Sequence, residues 1–209
     1  MGYTHNWNQA FKTNTNGLCC YELCLEIGCF EGLTSNYIVE RLLSSTGKLV
    51  CVDPLTNNYL NDALTDKDIN DNETIYSYFN NQYDRFIENT RNNASRIELL
   101  RKLSSEAYPE LIEKYSGQFD LIYIDGDHRA SAVYIDAINC FKLCKKGGTI
   151  IFDDYGWGKK YDEEATSVGI DKFLNEYQDQ YVLKSRGEQV VIQKNKYENK
   201  LIPLRESHN

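Results

Sequence analysis

Short runs of Val, Ile, Leu, Phe and Tyr alternate along this chain with stretches whose apolar positions recur every three or four residues, the pattern of strands interleaved with amphipathic helices. Tyr21 to Ile27 reads as a strand, about Leu33 to Ser44 as a helix and Lys48 to Asp53 as a second strand, which makes one β-α-β unit. The polar stretch that follows, about residues 55–75, sets Asp62, Asp66, Asp68, Asp71 and Glu73 against Lys67 and has no apolar period, which predicts an inserted lid. A helix from about Tyr76 to Asn92, a strand from Arg96 to Leu100 and a helix from about Glu106 to Tyr115 come next. Phe119 to Asp125 is the clearest strand, leading through Gly126-Asp127-His128 into a helix from Ala130 to Cys144 that stops toward Gly147-Gly148. Thr149 to Phe152 is a fifth, buried strand, followed by a helix from about Glu163 to Tyr177. Tyr181 to Lys184 and Glu188 to Ile192, joined at Arg186-Gly187, have no room for a helix between them and must pair antiparallel. The expected architecture is a single α/β domain over residues 1–209 with a core at about 18–194. Its doubly wound sheet has seven strands, mostly parallel with a C-terminal antiparallel hairpin, and a polar tail at 195–209 follows.

Composition narrows the partners. A chain of 209 residues and 24.2 kDa with 41% hydrophobic and 26% charged residues and a mean hydropathy of −0.57 has the balance of a soluble domain. No apolar run approaches ~20 residues, so no membrane span is expected. The first residues, Met1 to Asn8, have neither the basic start nor the apolar stretch of a leader, and the expected location is the cytoplasm. Lys and Arg number 23 against 31 Asp and Glu, a net charge of −8 that repels a polyanion, so nucleic acid is a poor partner. Seven cysteines without a C-x-x-C pair (Cys19, Cys20, Cys24, Cys29, Cys51, Cys140 and Cys144) read as core residues of a reducing compartment. No heptads announce a partner helix, and a homo-oligomer is left open.

The candidate chemistry falls at strand ends, where doubly wound sheets bind ligands. Glu26-Ile27-Gly28-Cys29-Phe30-Glu31-Gly32 spans the first strand-to-helix turn, with Gly28 and Gly32 admitting close approach of a ligand, and Asp53 ends the second strand, placed to accept from a ribose diol. The alternative is a structural turn and a capping Asp. Gly28 and Gly32 lack the middle glycine that a pyrophosphate requires, which favours a phosphate-free cofactor such as S-adenosylmethionine over NAD. Asp125 at the end of strand four and Asp153 and Asp154 at the end of strand five can converge, and three acids together suit Mg²⁺ or another hard cation. On the bland reading Asp127 and Asp154 only cap helices or turns. Since His5 and His208 lie in the termini, His128 is the candidate imidazole base of the core, with a polar cap as the alternative.

With Leu25-Glu26-Ile27-Gly28-Cys29-Phe30-Glu31-Gly32, Asp53 and the strand-end acids, the chain resembles a class I S-adenosylmethionine-dependent methyltransferase, a Rossmann-like fold, from about Tyr21 to Lys194. Asp125-Gly126-Asp127-His128 and Gly147-Gly148-Thr149-Ile150-Ile151-Phe152-Asp153-Asp154-Tyr155-Gly156 are similar to segments of the macrocin O-methyltransferase family, whose members methylate sugar hydroxyls with Mg²⁺. Catechol and caffeoyl-CoA O-methyltransferases have a similar carboxylate arrangement, with an Asp-Asn pair where Asp153-Asp154 stands here. The resemblance implies that the cofactor's methionine end lies against Glu26 and Gly28, its ribose on Asp53 and its adenine near Ser104-Ser105. Leu103 departs from the acid that many relatives have before that serine. It further implies that Asp125, Asp153 and Asp154 hold Mg²⁺ or Mn²⁺ and that His128, with Asp125, deprotonates a hydroxyl of a sugar or glycan, a 6-deoxyhexose by family analogy. Trp157, in Tyr155-Gly156-Trp157-Gly158, either packs against a sugar face or the lid, or buries itself. The expected activity is metal-assisted O-methylation. A catechol-like small-molecule enzyme, an NAD-dependent oxidoreductase and a cofactor-binding assembly module are its rivals.

Overall fold

The computed structural model describes residues 21–56, 81–158 and 163–196. The predicted lid beyond Thr56, the start of the helix predicted from Tyr76 and the tail beyond Lys196 lie outside these residues, as do His5, Cys19, Cys20 and His208.

Seven strands form one sheet: β1 (Tyr21–Ile27), β2 (Leu43–Val52), β3 (Ile97–Leu100), β4 (Phe119–Ile124), β5 (Cys144–Phe152), β6 (Tyr181–Arg186) and β7 (Val190–Lys194). Their spatial order is β3-β2-β1-β4-β5-β7-β6, parallel from β3 to β5, with β7 antiparallel to both neighbours. The chain winds outward from β1 to β3 and then restarts at β4 on the other side of β1, so strand order reverses between β1 and β4 and a crevice opens at their carboxyl ends. The helices are α1 (Leu33–Arg41), α2 (Gln82–Thr90), α3 (Ser104–Tyr115), α4 (Ala130–Leu143) and α5 (Thr166–Glu176). None of the described helices is long and apolar enough to cross a membrane.

The period-two alternation of the strands feeds two cores. Leu25, Ile27, Val50, Val52, Ile122, Ile124, Ile150 and Phe152 pack with residues of α3, α4 and α5, whereas Cys24, Leu49, Cys51, Leu121, Tyr123 and Ile151 pack with residues of α1 and α2. Each such side chain removed from water contributes about 1.5–3 kcal/mol, which is why the central strands are the most continuous apolar runs in the sequence. Cys24, Cys29, Cys51, Cys140 and Cys144 are free and buried, in keeping with their reading as core residues.

Two boundaries differ from expectation for the same reason. β2 begins at Leu43, directly after α1, because Tyr21 pairs with Leu43 before the register jumps to Leu23 opposite Lys48. β5 likewise begins at Cys144, with a jump from Phe119 opposite Cys144 to Leu121 opposite Thr149. Gly147, at φ +82°, therefore belongs to a bulge within β5 and does not end a helix; α4 stops at Leu143. Other ends shift by a few residues. The helix expected to run to Asn92 is α2 up to Thr90, then a 3-10 turn over Arg91–Arg96, and the hairpin strands extend to Arg186 and Lys194.

Asp120 fastens the two bulges. Its buried carboxylate accepts from the N–H groups of Glu22 and Leu23, both at 2.8 Å, and pairs with Lys145. Asp120→Ala strands two backbone donors and is expected to cost about 1–3 kcal/mol of unfolding free energy in a urea titration, whereas Lys145→Ala, a half-exposed partner, costs under about 1 kcal/mol.

Candidate active site

Each of the four parallel strands that flank the crevice hands its next residue to the end of a neighbour. Asp53 N–H donates to Leu100 O (3.2 Å), Gly28 N–H to Val52 O (2.9 Å), Asp125 N–H to Ile27 O (2.8 Å) and Asp153 N–H to Ile124 O (3.0 Å). The ladder thus runs one residue past the strands and sets Asp53, Gly28, Asp125 and Asp153 in a row along the sheet edge.

Gly28 is where the two halves meet. Its φ is +82°, and a Cβ there would lie 2.0 Å from the carbonyl oxygen of Asp125, so only glycine lets the β1–α1 turn close against the β4–α4 turn. Gly32 begins α1, and a Cβ on it would meet Thr90 Cγ2 at 2.5 Å, so the α1 start seats on the end of α2. Asp53 Oδ2 accepts from the N–H groups of Cys29 and Phe30, each at 2.9 Å, and Oδ1 from Leu55 N–H at 2.8 Å. Asp53 thus braces the glycine turn as well as facing the crevice. Burial raises its pKa and these three donors pull it back.

Glu26, fully buried, accepts from Ser35 Oγ (2.5 Å) and Cys51 Sγ (3.4 Å) on Oε2, while Oε1 has no partner. Burial pushes its carboxyl up to about 8 against the pull of those two hydrogen bonds, with Asp125 and Asp53 adding to the rise. Ser104, the first residue of α3, donates its hydroxyl to Asp136 Oδ1 at 2.8 Å, while Ser105 beside it is exposed. Both serines have main-chain N–H groups of a helical first turn, which lack a carbonyl one turn back.

On the other side of Gly28, His128 Nε2 lies 3.3 Å from both Asp125 Oδ1 and Asp154 Oδ2, and one ligand atom from each of these three residues falls within 4.8 Å of the others. Burial lowers the His128 pKa, but the hydrogen bond and charge of Asp125, with Asp154 and Asp127, outweigh it and the net shift is upward. Burial likewise lifts Asp125 to about 6 and raises Asp154. Asp153 faces elsewhere: Oδ2 accepts from Tyr123 OH, and Oδ1 from Asp154 N–H (2.8 Å) and Gln189 Nε2 (3.0 Å). Asp153 is therefore not in the group of ligand atoms that Asp125, His128 and Asp154 bring together, although its charge adds to the rise at Asp125 and Asp154. Asp127 holds the turn before α4, accepting from Arg129 N–H at 2.9 Å and pairing with its guanidinium, and does not cap the helix. Trp157 is 59% exposed, with its ring 5.1 Å from that of His128, so of the two alternatives the one in which it buries itself does not hold.

Residues 25–155 match the family model described as a methyltransferase domain. This chain belongs to that family. Uncharacterized protein R132 of Acanthamoeba polyphaga mimivirus is 25% identical to this methyltransferase domain over 132 residues, 63% of the chain and 50% of that relative, so the chain spans about half its length. An O-methyltransferase from Bacillus cereus in complex with SAH has the same fold, with a TM-score of 0.59 and 18% identity over 93% of this chain and 82% of that one. So does the O-methyltransferase TomG from Streptomyces achromogenes, involved in tomaymycin synthesis and solved with SAM, at 0.58 and 15% over 90% and 79%. A Corynebacterium glutamicum protein matches at 0.57 and 16% over 91% and 78%. At these identities the likeness is one of fold.

Tyr123, Gln189 and Asp136 touch the site residues but were not among the candidates. Tyr123 and Gln189 are a core aromatic and a hairpin amide whose partners are distant in sequence; Asp136 alone had a signal, as an acid on the apolar face of a helix. Glu26 yields a pH test. Its folded pKa lies above the ordinary 4.5, so its contribution to stability is complete below about 4.5 and lost as pH rises through about 8. The wild type should therefore lose melting temperature between pH 6 and pH 9 more steeply than Glu26→Gln, which keeps a neutral group of that shape. Equal slopes in calorimetric scans would show that Glu26 is not the titrating group.

Proposed function

We propose that this chain is an S-adenosylmethionine-dependent O-methyltransferase acting on a hydroxyl of a sugar or glycan with the help of Mg²⁺ or Mn²⁺. The observation that carries the reading is the close contact of the Gly28 turn with the Asp125 turn, which sets Glu26 and Asp53 on one side of a crevice and the Asp125–His128–Asp154 group on the other.

The residues fit the cofactor. The unpartnered Glu26 Oε1 offers an acceptor at the base of the glycine turn, Asp53 Oδ1 keeps one acceptor site for a ribose hydroxyl, and Ser104 and Ser105 offer main-chain donors to an adenine edge. When bound, the cofactor supplies a methyl group already activated by its sulfonium. The donor set also suits a hard cation, which Asp125 and Asp154 would hold, with Asp153 as a third acid by the resemblance, and which would supply charge that makes a bound hydroxyl more acidic. His128 Nε2 lies between the two carboxylates; with those carboxylates engaged by a cation, the neutral imidazole, unprotonated at Nε2, would be the group to take the hydroxyl proton. The enzyme's remaining task is alignment of oxygen, methyl carbon and sulfur. The sugar is supported by the resemblance of Asp125-Gly126-Asp127-His128 and Asp153-Asp154-Tyr155-Gly156 to macrocin-type enzymes, and by an exposed Trp157 face beside His128 on which a ring can lie.

Purified protein should bind S-adenosylhomocysteine in calorimetry and transfer methyl groups to one member of a panel of sugars and diphenols. EDTA should abolish transfer and Mg²⁺ or Mn²⁺ restore it. Asp125→Ala and Asp154→Ala should abolish turnover with cofactor affinity retained, and His128→Ala should lower the rate by about 10²–10⁴-fold. Turnover that survives both EDTA and Asp125→Ala removes the metal from the reading; a diphenol acceptor removes the sugar.

A further inference from the structure

We infer that Asp136 is a positioning residue for the adenine end of the cofactor, holding the first turn of α3 at a fixed place relative to the Asp125–Asp127 turn; this rests on the cofactor reading above. Asp136 lies on α4 and is buried. Its Oδ1 accepts two hydroxyls of α3 at once, Ser104 Oγ at 2.8 Å and Tyr108 OH at 2.7 Å, one helical turn apart. Its other oxygen lies against the second turn, since a Cβ on Gly126 would stand 3.6 Å from Asp136 Oδ2 and 3.2 Å from Ile27 Cγ2. One carboxyl therefore bonds the start of α3, after β3, and stands next to the turn after β4, with room for little more than a methyl group between them.

Packing of α3 on α4 does not call for an acid there. A leucine would join Leu111, Val133 and Ala137 in the same core, whereas a buried carboxyl carries a desolvation penalty that its partners must offset. What a carboxyl adds is direction. It fixes the Ser104 rotamer and draws the α3 N-terminus, with the main-chain donors of Ser104 and Ser105, onto a point set by α4, whose own start follows His128. An adenine lying in that corner would meet donors held by Asp136 while Asp136 itself stays beneath.

The test uses the whole chain and measures binding rather than turnover. S-adenosylhomocysteine and adenosine are titrated calorimetrically into wild type, Asp136→Ala, Asp136→Asn, Ser104→Ala and, as a core control, Phe173→Leu, with a thermal melt of each. Asp136→Ala should weaken both ligands by about tenfold, and Ser104→Ala by about threefold. Asp136→Asn, whose amide oxygen still accepts, should stay within about threefold of wild type. Phe173→Leu should melt lower with affinity unchanged. Wild-type affinity in Asp136→Ala overturns the inference, as does an equal weakening in Phe173→Leu, which would make the effect one of general stability. Should Asp136→Ala not fold, Ser104→Ala carries the test, and unchanged affinity there overturns it. A wild-type protein that binds neither ligand overturns the cofactor reading itself, and the inference with it.

Discussion

The site depends on a hydrogen-bond ladder that does not stop where the strands stop. In a parallel sheet the residue after one strand can still donate to the last carbonyl of its neighbour, and here Asp53, Gly28, Asp125 and Asp153 all do so. Their spacing is then that of adjacent strands, about 4.8 Å, and is stabilised by the same interior that stabilises the sheet. Side chains that must act together are in this way carried by backbone that has almost no freedom, while the loops beyond them are left to vary. Asp53 tightens the arrangement by taking three N–H groups, two of them from the Gly28 turn.

That rigidity has an electrostatic counterpart. Burial pushes the pKa values of Glu26, Asp53, Asp125 and Asp154 upward, neighbouring carboxylates add to the rise at Glu26, Asp125 and Asp154, and Glu26 retains an acceptor without a donor. A core built for stability alone would not collect these groups. A cationic ligand entering the crevice would relieve that repulsion.

Much of this was legible in the sequence, because strands with two covered faces read as continuous apolar runs and their ends are marked by a glycine or an acid. Glu26, Gly28, Asp53, Asp125 and Asp154 stand at the crevice as that pattern implies, and His128 joins them. The starts of β2 and β5 were hidden because bulges insert residues with no apolar signature, so Ser44 to Gly47 and Lys145 to Gly148 read as helix ends and turns. The roles of Asp120 and Asp136 were hidden for a different reason, even though Asp136 stands out as an acid on an apolar face: what each does is decided by partners far away in the chain, Glu22 and Leu23 for one and Ser104 and Tyr108 for the other. Spacing along a sequence reports which face a residue occupies, and not which donor it will meet.

Asp154 adopts φ +50°, a left-handed conformation that few side chains other than those of glycine, asparagine and aspartate tolerate well. Asparagine is nearly the same size as aspartate and equally at ease in that backbone, so one negative charge at this corner can be added or withdrawn by a single codon change without disturbing the shape of the turn. Evolution, or a designer, is thereby given an electrical dial on an otherwise fixed mould, able to reset the charge that this corner presents while the backbone around it keeps its place.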